Sequence, residues 1–192
     1  MIRSLVTIGL TIFFVTTPSF ALKVGETAPD FKLVDTSGKT HSLSANQGKW
    51  VVLEWYNPGC PFVVRHYEKK TMTGLVAEFD GQGVQWLAID SSHFVTPTSG
   101  QEFEKKHQIK HPILLDADGR VGRQYGAVTT PHMYVIDPTG VLRYVGAIDD
   151  DPWGEKAKIN YVQTALKEGL AGKAIKMAET KPYGCSVKYK SK

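Results

Sequence analysis

The chain's only two thiols belong to Cys60 and Cys185, and the surroundings of Cys60 are suited to making a thiol reactive. Cys60 follows a compact apolar run, Trp50 to Tyr56, of the kind that forms a buried central strand. Asn57, Pro58 and Gly59 break the run, and Pro61 comes directly after the cysteine. Proline at the first helical position sacrifices no needed hydrogen bond, so a helix is expected to open there. A cysteine between strand and helix meets the free N–H groups of the first helical turn. Their partial positive charge favours thiolate over thiol and lowers the pKa. Such a thiolate can attack a disulfide sulfur or a peroxide oxygen. Arg65 and His66 stand within the next turn and a half. They either add positive charge at the sulfur or form an ordinary solvated helix face.

Cys185 lies far along the chain, in an irregular tail from Ala174 to Lys192 that is able to fold back. Three roles are open to it. It captures an oxidised Cys60 by attacking a sulfenic acid or a mixed disulfide. It forms a static bridge, which for a loop of this length adds on the order of 4–5 kcal/mol in the chain-entropy model. Or it never meets Cys60, since a bridge needs Cα atoms closer than about 7 Å.

The elements that must position these groups alternate in type. Thr36 to Lys39 reads as a hairpin turn in a polar N-terminal stretch. Val64, Tyr67, Met72, Leu75 and Phe79 suggest one helix running from Pro61 through Phe79. Val84 to Ile89 reads as a second buried strand, Asp90 to Gly100 as a loop, and Gln101 to His107 as a helix. A short apolar strand, Ile113 to Leu115, and a short helix, Arg120 to Tyr125, come next. Met133 to Ile136 and Val141 to Ile148 flank the turn Asp137 to Gly140 as an antiparallel hairpin. Gly154 to Leu170 is expected to be a helix with Ile159, Val162, Ala165, Leu166 and Leu170 inward, and the preceding Asp149 to Trp153 an acidic loop capping it. Alternation gives parallel pairs by right-handed crossovers, and the closing hairpin adds an antiparallel edge. The expected fold class is α/β, a mixed central β-sheet flanked by helices on both faces, with an N-terminal extension.

The first residues read as a leader. Arg3 is followed by an apolar run from Leu5 to Val15, and Ser19, Phe20 and Ala21 offer small residues at the positions a signal peptidase reads. Cleavage is expected after Ala21, leaving 22–173 as one domain and 174–192 as its tail, in the periplasm or outside the cell. The run is short for a membrane span of roughly 20 residues, so no stable membrane insertion is expected after cleavage. The net charge of +4 comes without a basic stripe interleaved with aromatics, so no nucleic acid partner is expected.

Four segments, in order, resemble the thioredoxin-like redoxin family and its peroxiredoxin-like subgroup, related to alkyl hydroperoxide reductase and thiol-specific antioxidant. Val24 to Phe31 (Val-Gly-Glu-Thr-Ala-Pro-Asp-Phe) resembles the entry to redoxin domains. Leu53 to Val63 resembles the active-site strand and turn, Thr129 to His132 the cis-proline loop, and Tyr183 to Lys188 the terminus of the subgroup. The resemblance implies that Cys60 is the attacking cysteine and Glu54 a buried acid that moves protons for the thiols. A carboxylate buried on a strand is costly unless paired or protonated, so a raised pKa goes with that role; the alternative is an edge-facing Glu54 in water. It also implies that Thr130 and Pro131 present backbone to a substrate strand opposite Cys60. Two departures matter. Val63 occupies the place of the thioredoxin resolving cysteine, so dithiol exchange within the turn is impossible. Asn57 replaces the peroxiredoxin threonine as a substrate-side donor, and no arginine matches the peroxiredoxin one unless Arg65 or Arg123 reaches the site.

The leading expectation is an exported peroxiredoxin-like thiol oxidoreductase acting on protein or small-molecule disulfides or peroxides. Cys185 is its candidate resolving thiol and a thioredoxin-like protein its reductant. No cofactor is expected. One alternative is a non-catalytic binding domain that kept the fold. Another is a copper module in which Cys60 joins His66, His93 or His132, because soft Cu(I) prefers thiolate and imidazole.

Overall fold

The computed structural model describes residues 22–191; the expected leader, 1–21, lies outside them. Strands β1 (Lys32–Asp35) and β2 (Thr40–Ser42) form the hairpin around Thr36 to Lys39. The Asp35 carboxylate holds that turn by accepting the N–H groups of Ser37 at 2.8 Å and Lys39 at 3.0 Å. β3 (Trp50–Trp55), β4 (Val84–Asp90) and β5 (Ile113–Leu115) run parallel. β6 (Thr129–Thr130) precedes β7 (His132–Ile136), which pairs antiparallel with β3 and with β8 (Leu142–Gly146). The seven-stranded sheet has the order β2-β1-β5-β4-β3-β7-β8.

Strand periodicity divides the core into two layers. Val51, Leu53 and Trp55 of β3 face one way, with Leu87 and Ile89 of β4. They meet Val121 and Tyr125 of α4 (Arg120–Tyr125) and Phe31 of the N-terminal segment. Val52 of β3 and the adjoining Tyr56 face the other way. There they meet α1 (Pro61–Glu68), α2 (Thr71–Glu78), Phe103 of α3 (Pro97–His107), and Val162, Ala165 and Leu166 of α5 (Tyr161–Leu170). Each buried Leu, Val or Phe side chain contributes roughly 1.5–3 kcal/mol of transfer free energy, so both faces of the central strand are strongly specified.

Four expectations are corrected. The helix after Pro61 is two helices, because Lys70 takes a left-handed conformation with φ of 57°. Tyr67 and Met72 are five positions apart, which a continuous helix would splay by about 140°; the kink turns both into the core. The third helix starts at Pro97, capped by Thr96, whose hydroxyl accepts the Ser99 N–H at 3.2 Å. The last helix begins at Tyr161, not Gly154, and Asn160 rather than the acidic loop caps it, accepting the Gln163 N–H at 2.9 Å. Before it, the Asp150 carboxylate takes the N–H groups of Lys158 and Ile159, leaving Ile159 exposed. Finally, the tail is not wholly irregular. Residues 178–180 run beside β8, with Thr180 N–H donating to the Val145 carbonyl at 3.1 Å, and Cys185–Ser186 forms β9, antiparallel to β6.

Candidate active site

Cys60 is the N-cap of α1: its carbonyl accepts the Val64 N–H at 2.9 Å, while its own N–H donates to the Asn57 carbonyl at 3.1 Å. The turn before it is locked by Asn57. The Asn57 Oδ1 accepts the Gly59 N–H at 2.7 Å and its Nδ2 donates to Ser92 Oγ at 2.6 Å. The sulfur points across to the loop before β7, where the Thr130–Pro131 peptide is cis, and its thiol donates to the Thr130 carbonyl at 2.9 Å. The register of β6 with β9 sets Cys185 opposite Thr130, so the tail brings its thiol alongside Cys60. No disulfide joins Cys60 and Cys185 in this structure, and Cys60 is only 2% exposed beneath the tail.

Burial pushes the Cys60 pKa up, but hydrogen bonds to the sulfur outweigh it and hold the pKa below the ordinary thiol value. The donors are the Cys185 thiol, the Thr130 side chain, and the backbone N–H groups of Val63 and Cys185. Thr130 Oγ1 has no other partner, so its hydroxyl is free to turn to the sulfur. The opposite happens at Cys185. Burial, its hydrogen bond to Cys60 and the charge there push its pKa up to about 11. The pair therefore keeps its last proton on Cys185 and its charge on Cys60.

Glu54 is completely buried on the α1 side of β3. Its Oε2 accepts from the Tyr67 hydroxyl at 3.0 Å and the Trp86 indole N–H at 2.9 Å, while Oε1 has no partner. Burial pushes its pKa up to about 7 against the pull of those two donors. Tyr67 continues the chain to His111 Nε2 at 3.1 Å. His111, kept neutral by burial with a pKa of about 3, lines a surface cavity of about 360 Å³ with Trp86 and Pro112. Glu54 bonds to neither cysteine; its hydrogen bonds run through Tyr67 to His111.

The tail is anchored on both sides of Cys185. Tyr183 gives its phenolic proton to Asp149 Oδ1, so its oxygen accepts from His66 Nε2 at 3.0 Å. Burial lowers the His66 pKa to about 4 despite Asp149, so the ring is neutral near pH 7. Beyond the cysteine, Val187 N–H donates to Val128 O at 3.1 Å and His93 N–H to Lys188 O at 2.9 Å. The Tyr189 hydroxyl then donates to Ala127 O at 2.8 Å, over Gly119 and Gly122.

Cys60, Thr130 and Pro131 come together, Cys185 meets Cys60 rather than lying apart from it, and Glu54 takes the buried of its two placements. Asn57 shapes the turn: its amide oxygen holds Gly59 N–H and its Nδ2 turns to Ser92. Arg65 donates to the carbonyls of Asp151 and Pro152, and Arg123 to those of Asp118 and Lys190, so neither guanidinium faces the sulfur. His66 is neither a charge at the sulfur nor part of a solvated face. It and His132, which contacts the Tyr134 hydroxyl at 3.2 Å, are occupied, and no group of three or more metal-ligating side chains gathers among the described residues. Tyr67, His111, Tyr183 and Asp149 escaped sequence reasoning because no spacing links them. Only the position of Tyr183, two residues before Cys185, hinted at a role.

Residues 24–145 match the AhpC/TSA family, a span that holds Cys60, Thr130 and Pro131 and stops short of Cys185. The thiol-disulfide oxidoreductase ResA of Geobacillus kaustophilus is 33% identical over 144 residues, 73% of this chain and 79% of that protein. Peroxiredoxin 2 of Thermoplasma acidophilum is 30% identical over 131 residues, 64% of this chain and 65% of that protein. A solved structure of a hypothetical protein from Sinorhizobium meliloti superposes with a TM-score of 0.82 at 26% identity, covering 90% of this chain and 98% of that one. The fold is thioredoxin-like. Sequence match, fold and a lowered-pKa thiol at a helix start agree: the chain belongs to the AhpC/TSA family of thioredoxin-fold, thiol-dependent oxidoreductases.

Proposed function

We propose that Cys60 is the nucleophile of a thiol–disulfide oxidoreductase and that Cys185 resolves it. The observation that carries this reading is the contact between two thiols whose pKa values are driven apart, Cys60 down and Cys185 up to about 11. The Cys60 thiolate attacks one sulfur of a substrate disulfide, forming a mixed disulfide and expelling the other sulfur as a thiolate. The Cys185 sulfur then attacks Cys60 Sγ. A Cys60–Cys185 bond forms, the bound substrate sulfur leaves, and the Cys185 proton goes to that leaving thiolate. The substrate is reduced, the protein is oxidised, and an external dithiol protein of the thioredoxin type restores it. Glu54, with a pKa of about 7, is a buried acid able to hold or release a proton near neutral pH, and its hydrogen bonds run through Tyr67 to His111.

Disulfides are favoured over peroxides as substrates for one reason. Cleaving an O–O bond calls for donors that meet the developing charge, and Arg65, Arg123 and the Asn57 amide are all turned to other partners. Export to the periplasm or beyond the cell belongs to the same reading, supported by Arg3, the apolar run from Leu5 and the small residues before Leu22. No described helix is long and apolar enough to cross a membrane.

The test is mass spectrometry of the reduced protein after a small disulfide, and separately after dilute peroxide. The expected product is a Cys60–Cys185 disulfide, formed faster with the disulfide. Cys60→Ser abolishes it, and Cys185→Ser leaves a mixed disulfide trapped on Cys60. If Cys60 acquires neither a disulfide nor a sulfenic acid under either oxidant, the reading is wrong.

A further inference from the structure

The tail does more than bring in a thiol: it occupies a strand position. β9 adds antiparallel to β6, with Thr129 opposite Ser186 and Thr130 opposite Cys185, and Val187 N–H extends the ladder to Val128 O. The side-chain anchors, Tyr183 and Tyr189, lie at either end of this stretch. Between them the tail is held by backbone pairing, which any extended peptide can reproduce. With Cys60 2% exposed beneath it, a protein disulfide reaches the sulfur only by taking the tail's place.

Gly184 sets a condition on whatever takes that place. A Cβ at Gly184 would stand 2.1 Å from the Thr130 carbonyl oxygen and 2.7 Å from its carbon, and the residue has φ of +139°. Both obstacles are backbone, so no rotamer change relieves them, and only glycine tolerates this approach. The obstructing carbonyl is the one that accepts the Cys60 thiol proton, which ties the restriction to the reacting atoms.

Building on the nucleophilic role of Cys60, and on the substrate strand that the family resemblance already implies beside Thr130, we propose that the protein segments docked on the β6 edge carry glycine immediately before the reactive cysteine. The tail, Tyr183-Gly184-Cys185-Ser186-Val187, is the chain's own copy of that ligand. The partner's cysteine takes the Cys185 position, its preceding glycine clears Thr130 O, and its backbone pairs with Thr129 and Thr130. In the exchange, the Cys60 thiolate bonds to the partner's cysteine sulfur and releases the thiolate formerly joined to it.

The test uses the full chain with Cys185→Ser, so that Cys60 alone reports. Hexapeptides of the tail sequence carry thionitrobenzoate in disulfide linkage on their cysteine, with Gly, Ala or Val before it. Release of the coloured thiolate gives the rate, and the free small disulfide, dithiobis(nitrobenzoate), serves as the reference. The Gly peptide is expected to react at least about tenfold faster than the Ala and Val peptides, as a backbone overlap of this kind costs over 1 kcal/mol. In the otherwise native chain, Gly184→Val is expected to lift the tail and speed alkylation of Cys60 by a similar factor. Equal rates for the three peptides, with the small disulfide reacting normally, overturn the docking inference alone. Unchanged alkylation in Gly184→Val overturns the tail's part in it. If the small disulfide itself leaves Cys60 unmodified, the nucleophilic role fails as well.

Discussion

Glu54 is a carboxyl group held out of water, with two donors on one oxygen and none on the other. Its pKa of about 7 lies above the ordinary 4.5, so the folded chain keeps a proton that the unfolded chain releases first. Below about pH 4.5 both states are protonated and the group has no effect on stability. As pH rises through 7 the folded state loses ground, and above that the cost levels off at about 3 kcal/mol. Glu54→Gln keeps an acceptor for Tyr67 and Trp86 without the charge. It is expected to be more stable than the native chain at pH 8, by up to about 3 kcal/mol, and no more stable at pH 4. Urea unfolding of both proteins across this range measures the difference. A difference that does not change with pH would show that Glu54 is not the titrating group.

Two short elements, β6 and β9, carry the site, and neither is stable by itself, since an isolated two-stranded pair is marginal in water. The anchors at their ends supply what the ladder lacks. Tyr183→Phe removes the donor to Asp149 and the acceptor for His66 Nε2. Leaving His66 Nε2 unpaired, with Asp149 Oδ1 keeping only the Asp151 N–H, costs about 1–3 kcal/mol, concentrated in the tail. Amide exchange at 184–188 is expected to accelerate, with β3 and β4 unaffected, and Cys60 to alkylate faster. Protection at 184–188 that stays at the native level would mean the phenol does not hold the strand. By contrast, Thr96→Ala removes the cap of α3 and should cost about 1 kcal/mol of global stability without touching the thiol chemistry. Denaturation and alkylation measured on both variants separate the two effects.

Across the whole molecule, the tail closes the chain on itself. It runs beside β8 at 178–180, crosses over Cys60, pairs with β6 and ends with Tyr189 packed on α4. A Cys60–Cys185 bond would close a loop of more than 100 residues, for which chain entropy predicts stabilisation of at most about 5 kcal/mol. The oxidised protein is therefore expected to unfold at higher urea than the reduced protein, and Cys185→Ser to lose that oxidation-dependent gain. A midpoint that falls on oxidation would mean the bond strains the fold, making the pair a stronger oxidant rather than a stabilising bridge. The gain also bears on function, because the energy holding the oxidised form together must be overcome by the external dithiol.

Chain order was enough to read the parallel core strands, the helix start at Pro61 and the placement of Cys60 just before it. These are local matters of apolar period, breakers and capping, and each is written within a few neighbouring residues. The loop of Thr130 and Pro131 came instead from the family resemblance. The break at Lys70 and the late start of α5 were less legible, because they depend on which side chains must face a core that lies elsewhere. The meeting of Cys185 with Cys60 was only one of three alternatives open to the chain. It arises from strand register between β6 and β9, and contact across so long a stretch of chain leaves no period or spacing to detect. The same holds for Tyr183 with Asp149 and His66, and for Glu54 with Tyr67 and His111, whose pKa values depend on burial that exists only once the layers have packed.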